Sequence, residues 1–166
     1  MQTTVDLHDL VAAMGDAVVV SDADHVITLW NRAAERLFGY TEAEALGQSL
    51  DIIIPERLRA RHREGYEKTM RTGVTRYGNE LLQVPAIDKA GRPLSIAFTV
   101  ALLYGAENKV TGIAAVIRDD TARFERDRAQ RKRITALEKA IADAATLRTP
   151  AAPAGAQSGC PARSSE

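Results

Sequence analysis

Apolar and polar positions alternate along the chain with two different periods, which predict separate strands and helices. Residues 93–104 carry apolar side chains at every second position, which is typical of a half-buried strand. Apolar runs bounded by turn residues predict four more strands, at 17–20, 25–30, 80–87 and 110–117. A period of three to four residues predicts helices over 5–14, 55–73 and about 122–147. Five antiparallel strands with helices on one side indicate an α+β fold.

The helix predicted over 55–73 carries the most informative side chain. Pro55 suits its first position, and Gly73 suits the residue just past its end. Leu58, His62 and Tyr66 follow one another at spacings of four residues, while charged side chains occupy most of the remaining surface. This pattern predicts that His62 lies in the middle of the face that turns towards the protein interior, where it is either a ligand or packing.

The other polar positions near the strands have simpler interpretations. His25 follows the turn 21–24 and is interpreted as a solvated loop histidine. Asp120 or Thr121 is expected to cap the C-terminal helix rather than to bind a metal. Basic residues of that helix alternate with Glu125 and Asp127, which favours a solvated face over a nucleic-acid-binding surface.

Composition narrows the class of protein. The chain has 166 residues, of which 45% are hydrophobic, enough for one core with flanking segments. Its 22 basic residues balance its 22 acidic ones, so no global field favours nucleic acid or an anionic membrane. The single cysteine, Cys160, permits no internal disulfide, and the N-terminus lacks the basic residues of a secretory signal. We therefore expect a cytoplasmic protein without membrane-spanning segments.

No arrangement of residues indicates catalysis. The sequence contains no glycine-rich phosphate loop, no Gly-x-Ser-x-Gly and no His-Glu-x-x-His motif. Its three histidines, His8, His25 and His62, do not have the spacing of a metal site. These observations favour a protein that is not an enzyme.

One segment carries a family resemblance. The predicted hairpin is followed by NRAAERLFGYTEAEALGQSL (31–50), with an asparagine, small residues, an apolar pair, Gly-Tyr, an acidic helix and a glycine. This pattern resembles the PAS sensor domain over about residues 16–121, and 118–121 resembles the family's closing Asp-Ile-Thr motif. The resemblance implies a five-stranded antiparallel sheet of order 2-1-5-4-3, with the helices and a ligand pocket on one face.

Apolar side chains are expected to line that pocket, with one polar group as an anchor. The expected lining residues are Ile53, Ile54, Leu58, His62, Tyr66, Met70, Leu82, Ile96, Phe98, Ile113 and Ala115. The run IPERLRARH ending at His62 resembles the haem-binding oxygen sensors of the family. That resemblance implies that His62 is the axial ligand of a haem iron.

The opposite side of this pocket departs from the haem-binding pattern. The sensors of that type place an arginine or a methionine there, whereas the corresponding region of this chain contains Tyr77, Gly78 and Asn79. Two alternatives to haem therefore remain. The pocket is empty or holds a metabolite in a dimerisation module, or it holds a non-covalent flavin near Trp30.

The sequence also predicts how the chain is divided and how it associates. We expect an amphipathic helix at 1–15, the PAS domain at 16–121, a signalling helix with a short coiled-coil seam at 122–148 and a disordered tail at 149–166. One small domain cannot cover both apolar stripes, so we expect a homodimer through the terminal helices. The predicted function is a bacterial sensory module that relays a ligand signal to a signalling partner through the C-terminal helix.

Overall fold

The computed structural model describes residues 6–75 and 80–147, and its five strands form one antiparallel sheet. The strands are β1 (Ala17–Asp22), β2 (Ile27–Trp30), β3 (Leu82–Ile87), β4 (Pro93–Tyr104) and β5 (Val110–Asp119). Their order across the sheet is β2-β1-β5-β4-β3. The predicted strand order and the α+β class are both confirmed.

Five α-helices accompany the sheet in the described part of the chain. They are α1 (Leu7–Ala13), α2 (Arg32–Phe38), α3 (Glu42–Ala45), α4 (Glu56–Thr72) and α5 (Thr121–Leu147). Short 3₁₀ turns span Leu50–Ile53 and Ala106–Asn108. Helix α4 ends where the sequence predicts, because Gly73 adopts the left-handed conformation (φ +65°) and its N–H bonds the carbonyl of Thr69.

Asn31 joins three elements at the start of α2. Its side-chain oxygen accepts the N–H of Ala34 at 3.0 Å, which caps α2, and the N–H of Val18 at 2.9 Å. Its amide nitrogen donates to the carbonyls of Val11 and Asp16, both at 3.0 Å. One buried asparagine therefore satisfies polar groups of α1, β1 and α2 that would otherwise be unpaired.

The hydrophobic core lies between one face of the sheet and the short helices α2 and α3. Trp30 and Phe38 are fully buried, with ring centroids 5.4 Å apart, and the indole N–H donates to the carbonyl of Tyr40. Cross-strand pairing places Phe98 opposite both Leu82 and Ile117 on this same face. Strands β3 and β4 are therefore in the register that the alternation of apolar residues predicts.

A close approach of β1 and β5 shapes the end of the sheet where the hairpin turn begins. Gly112 pairs with Asp22, and a β-carbon on Gly112 would lie 2.5 Å from the carbonyl oxygen of Ser21. Only glycine fits this position without a shift of the backbone. The end of β1 is thereby held tightly against β5.

The terminal helices leave apolar side chains uncovered. In α1, Leu7 and Leu10 are exposed while Val11 is half-buried. The chain separates into two compact units, residues 1–125 and 126–166. Within the described part of the second unit, Ile134, Leu137 and Ile141 are exposed at spacings of three and four. The predicted boundaries of the tail lie outside the described residues.

Truncation of two phenylalanines should distinguish the tightly packed core from the half-covered part of the sheet by the stability that each variant loses. Phe38 is fully buried, whereas Phe98, expected to line the pocket, is only half-buried. Phe38→Ala should therefore lower the free energy of unfolding by about 3–5 kcal/mol, and Phe98→Ala by roughly half as much. Urea denaturation of both variants measures this difference. Equal losses would show that Phe98 is packed as tightly as Phe38.

Candidate functional site

Helix α4 presents few side chains to the interior. Among its described residues only Tyr66 is buried, while Leu58 and Met70 are half-buried. His62 keeps part of its surface exposed, so the expectation that it lies on a fully inward face is wrong. The reason is that charged residues cover most of α4, and the helix contacts the domain mainly through Tyr66 and its neighbours.

Two histidines meet at this site. Nδ1 of His62 lies 3.0 Å from Nε2 of His25, and the two ring centroids are 5.0 Å apart. The other ring nitrogen of His25, Nδ1, lies 3.1 Å from Oγ of Ser49. His25 is 9% exposed, so its interpretation as a solvated loop histidine is wrong. The Nε2 of His62 is the one ring nitrogen in this pair that these two contacts leave unused.

The hairpin turn fixes the position of His25. Oδ1 of Asp22 accepts the N–H groups of Asp24 at 3.0 Å and Val26 at 2.9 Å, which closes the turn. His25 has a positive φ of 70°, a conformation in which histidine is enriched. Its carbonyl also accepts the N–H of Leu50, so the turn holds the loop before the first 3₁₀ turn.

The sequence contains one sign that the backbone at His25 is held in a defined turn, namely a turn motif. The run SDADH places an aspartate three residues before the histidine, as a side-chain-closed turn requires. The positive φ then directs the imidazole inward rather than to solvent. The contact with His62 joins residues 37 positions apart, and no local pattern reports it.

Tyr66 anchors the helix beside the two histidines. Its hydroxyl lies 2.9 Å from Oγ of the buried Ser21 and donates to the carbonyl of Asp22. The tyrosine ring meets His25 edge-on, with centroids 4.7 Å apart. Burial raises the pKa of Tyr66 above its ordinary value. Tyr66, expected to line the pocket, therefore serves as a hydrogen-bonded anchor of α4 on β1.

An ion pair borders the histidines. Oδ2 of Asp51 accepts a hydrogen bond from the guanidinium of Arg63, while its buried Oδ1 has no hydrogen-bond partner among the described residues. Burial disfavours the charged form of Asp51, but the hydrogen bond and the charge of Arg63 outweigh it and lower the pKa. A buried negative charge therefore lies near His25.

Both imidazoles are held in the neutral form. Burial, followed by the charge of His25, lowers the pKa of His62 from 6.5 to about 4, and Asp51 opposes this shift. Burial likewise lowers the pKa of His25, against the raising effect of Asp51. A neutral imidazole with one unused nitrogen is the form in which histidine binds a metal.

The remaining residues expected in the pocket fall into two groups. All five strand positions lie on the helix-facing side of the sheet, namely Leu82, Ile96, Phe98, Ile113 and Ala115. The side chains that belong to the main core are Ile53, Ile54, Ile96, Phe98 and Ala115. Those that are half-buried outside that cluster are Leu58, Met70, Leu82 and Ile113. A half-covered apolar band therefore lies near α4.

A polar cleft of about 320 Å³ opens beside His25. It is lined by Ala23, Asp24, His25, Ser49, Arg63, Tyr66 and Glu67. Its lining differs from the apolar pocket that the sequence predicts, since only Tyr66 is common to both. Within residues 6–75 and 80–147, no group of three histidine, cysteine or acidic side chains is placed to hold a metal ion.

Two expectations about a bound chromophore can be compared with the structure. Trp30, expected near the ring of a flavin, is fully buried and packs against Phe38 in the core. Tyr77, Gly78 and Asn79, expected opposite a haem, lie outside the described residues, as does Arg76. In the part of the chain that is described, no helix is long and apolar enough to cross a membrane.

The family model for the PAS fold matches residues 6–119. The chain belongs to the PAS family. Among curated proteins, this PAS chain is 42% identical over 66 residues to the sensor protein FixL of Bradyrhizobium diazoefficiens, which covers 40% of this chain and 13% of that protein. It is 29% identical over 125 residues to the oxygen sensor protein DosP of Escherichia coli, covering 75% and 15% of the two chains. The match thus spans about a seventh of each relative.

A solved structure supports the same fold. The PAS domain of a protein from Colwellia psychrerythraea superimposes with a TM-score of 0.61 at 22% identity, covering 69% of this chain and 94% of that one. This PAS chain therefore shares its architecture with that PAS domain. The two curated relatives are named as a sensor protein and as an oxygen sensor protein.

Protonation of His62 should make the free energy of unfolding depend on pH. Because its native pKa is about 4, the unfolded chain binds a proton between about pH 6.5 and pH 4 that the native state does not. The free energy of unfolding should therefore decrease as the pH falls through this window, and His62→Gln should lessen the decrease. Urea melts at about pH 7 and pH 5 measure it, with His8→Gln as the matched control. Equal pH dependence in the parent and His62→Gln would contradict the assignment.

Proposed function

We propose that this PAS domain is the sensory part of a signalling protein and that it holds haem through His62. The observation that carries the proposal is the contact between Nδ1 of His62 and Nε2 of His25 at 3.0 Å. Histidines that bind metals engage their second ring nitrogen in a hydrogen bond. That arrangement leaves Nε2 of His62 as the available donor to iron.

The surroundings of His62 fit this role chemically. The low pKa of His62 keeps the imidazole neutral at physiological pH, as iron ligation requires. Half-buried apolar side chains of α4 and the sheet, among them Leu58, Met70 and Leu82, would contact the porphyrin. When bound, haem would supply an iron atom able to bind a small gas. The name of the E. coli relative, an oxygen sensor, supports this class of signal.

Hydrogen bonds connect the sheet to the start of α5 and would relay the signal. The N–H of Asp120 donates to the carbonyl of Ser95 at 2.8 Å, and the N–H of Ser95 donates to Oγ1 of Thr121 at 3.0 Å. Gln83 in β3 donates to Oδ2 of Asp120 at 2.9 Å. Ser95 precedes Ile96 and Gln83 follows Leu82, and both Ile96 and Leu82 were expected in the pocket. A ligand that favours one arrangement of these strands would shift the population of α5 conformations.

A cofactor-free interaction module is the alternative function, and the core packing favours it. Ile53, Ile96, Phe98 and Ala115 were expected to contact a ligand, but all pack into the main core. In that case the exposed stripes of α1 and α5 would be the functional surfaces. The protein would then act by dimerisation alone, with the His25–His62 contact serving stability.

Hemin titration distinguishes the two functions. The parent protein should bind one equivalent of hemin with an intense absorption band near the violet, and His62→Ala should lose that band while keeping its fold. His8→Ala is the matched control, because His8 is exposed on α1. Thermal melts of the apo variants check folding. Failure of the parent to bind hemin stoichiometrically, or unchanged affinity in His62→Ala, would favour the interaction module.

We also propose that α5 forms a parallel homodimer. Placing Ile134 and Ile141 at a positions and Leu137 at d puts Arg133 at g and Glu138 at the following e. In a parallel pair, Arg133 of one copy would face Glu138 of the other. Arg133→Glu and Glu138→Arg should each weaken association several-fold, and the double variant should restore it. Sedimentation equilibrium measures this, and a parent that stays monomeric at micromolar concentration would contradict it.

A further inference from the structure

We propose that His25, Ser49 and Asp51 form a part-buried hydrogen-bonded chain that decides which ring nitrogen of His62 carries the proton. The proposed haem function matters here only for one consequence of the chain. Iron could bind Nε2 of His62 only if that nitrogen carries no proton. The chain itself stands on the geometry of the protein. It assigns a positioning role to three residues that do not belong to the expected pocket.

The chain can carry its protons in two directions. In the first, Nδ1–H of His62 donates to Nε2 of His25, and Nδ1–H of His25 donates to Oγ of Ser49. In the second, the Ser49 hydroxyl donates to His25, and Nε2–H of His25 donates to Nδ1 of His62. A neutral imidazole has one N–H, so the second direction puts the proton of His62 on Nε2. Only the first direction leaves the lone pair that iron needs.

The charge of Asp51 favours the first direction. Asp51 lies at the Ser49 end of the chain, because its own N–H donates to Oγ of Ser49 at 3.2 Å. Its buried Oδ1 lacks a hydrogen-bond partner among the described residues, so part of its charge is uncompensated by direct contacts. In a low-dielectric interior, N–H dipoles are most stable when they point towards a negative charge. Both N–H bonds of the first direction point from α4 towards Ser49, the end of the chain at which Asp51 lies.

Three other charges contribute at His25, and they differ in sign. Asp22 and Glu67 add negative potential at His25, whereas Arg63 opposes it. Arg63 is exposed and already bonds Oδ2 of Asp51, so solvent screens its effect. Among the charges at His25, Asp51 has the largest effect, and it lies at the Ser49 end of the chain.

Contacts on the backbone and on the ring prevent the His25 imidazole from rotating. The backbone at His25 is fixed by the Asp22 turn and by its bond to Leu50. The ring is bonded at both nitrogens and meets the edge of Tyr66. Reversing the chain therefore requires exchange of protons rather than rotation of the ring.

Nitrogen NMR on the apo protein tests the chain without haem. Long-range ¹H–¹⁵N couplings should show the parent His62 mainly protonated on Nδ1. His25→Ala and Asp51→Asn should each raise the fraction protonated on Nε2, Ser49→Ala should do so as well, and His8→Ala should not. Thermal melts establish which variants fold. If His25→Ala does not fold, Ser49→Ala and Asp51→Asn carry the test.

Hemin affinity provides the second readout. Loss of a hydrogen-bond partner of a ligating histidine typically weakens metal binding by about 10–100-fold, and we expect a loss in this range for His25→Ala. If the protonation site of His62 is unchanged in the folded variants, the proposed hydrogen-bonded chain is contradicted, even if the parent binds hemin. A parent that does not bind hemin but shows the expected shift in protonation would overturn the haem function and leave the chain supported.

Discussion

The hydroxyl of Tyr66 holds helix α4 on the sheet, and the contacts between the histidines depend on that anchor. Tyr66 is the one buried side chain among the described residues of α4, and its hydroxyl bonds Ser21 and the carbonyl of Asp22. Most of the remaining helix surface is charged, so hydrophobic burial does little to fix its position. One turn earlier on α4, His62 is thereby brought within hydrogen-bonding distance of His25.

Asp22 couples this anchor to the hairpin turn. Its carboxylate closes the turn that places His25, and its carbonyl accepts the hydrogen bond of Tyr66. Gly112 allows β5 to approach the carbonyl of the preceding residue, Ser21. The turn, the helix and the sheet therefore meet at a few polar contacts rather than at a broad apolar interface. Such a junction can hold a neutral imidazole in a fixed place while leaving the nearby apolar band half-covered.

The fold was predictable from the sequence because local patterns report it. Alternation in 93–104 defined β4, Gly73 ended α4, and Asn31 capped α2, each through a preference of the residue at that position. The candidate site was less predictable. His62 was identified as the central residue, but its helix was expected to bury it. The role of His25 was missed because a side chain inside a polar cluster leaves no periodic pattern, and its partner is distant in the chain.

The tightness of packing differs between the two sides of the sheet. Trp30 and Phe38 close the core at the β2 side of the sheet, where the contacts are tight and buried. At the other side, Leu82 and Phe98 are half-buried on β3 and β4. Regions with fewer buried contacts open at lower free energy than the core, so a ligand can shift their packing. Gln83, the neighbour of Leu82 in β3, donates to Oδ2 of Asp120, the residue just before α5. The half-buried end of the edge strand β3 is therefore linked directly to the segment from which the C-terminal helix begins.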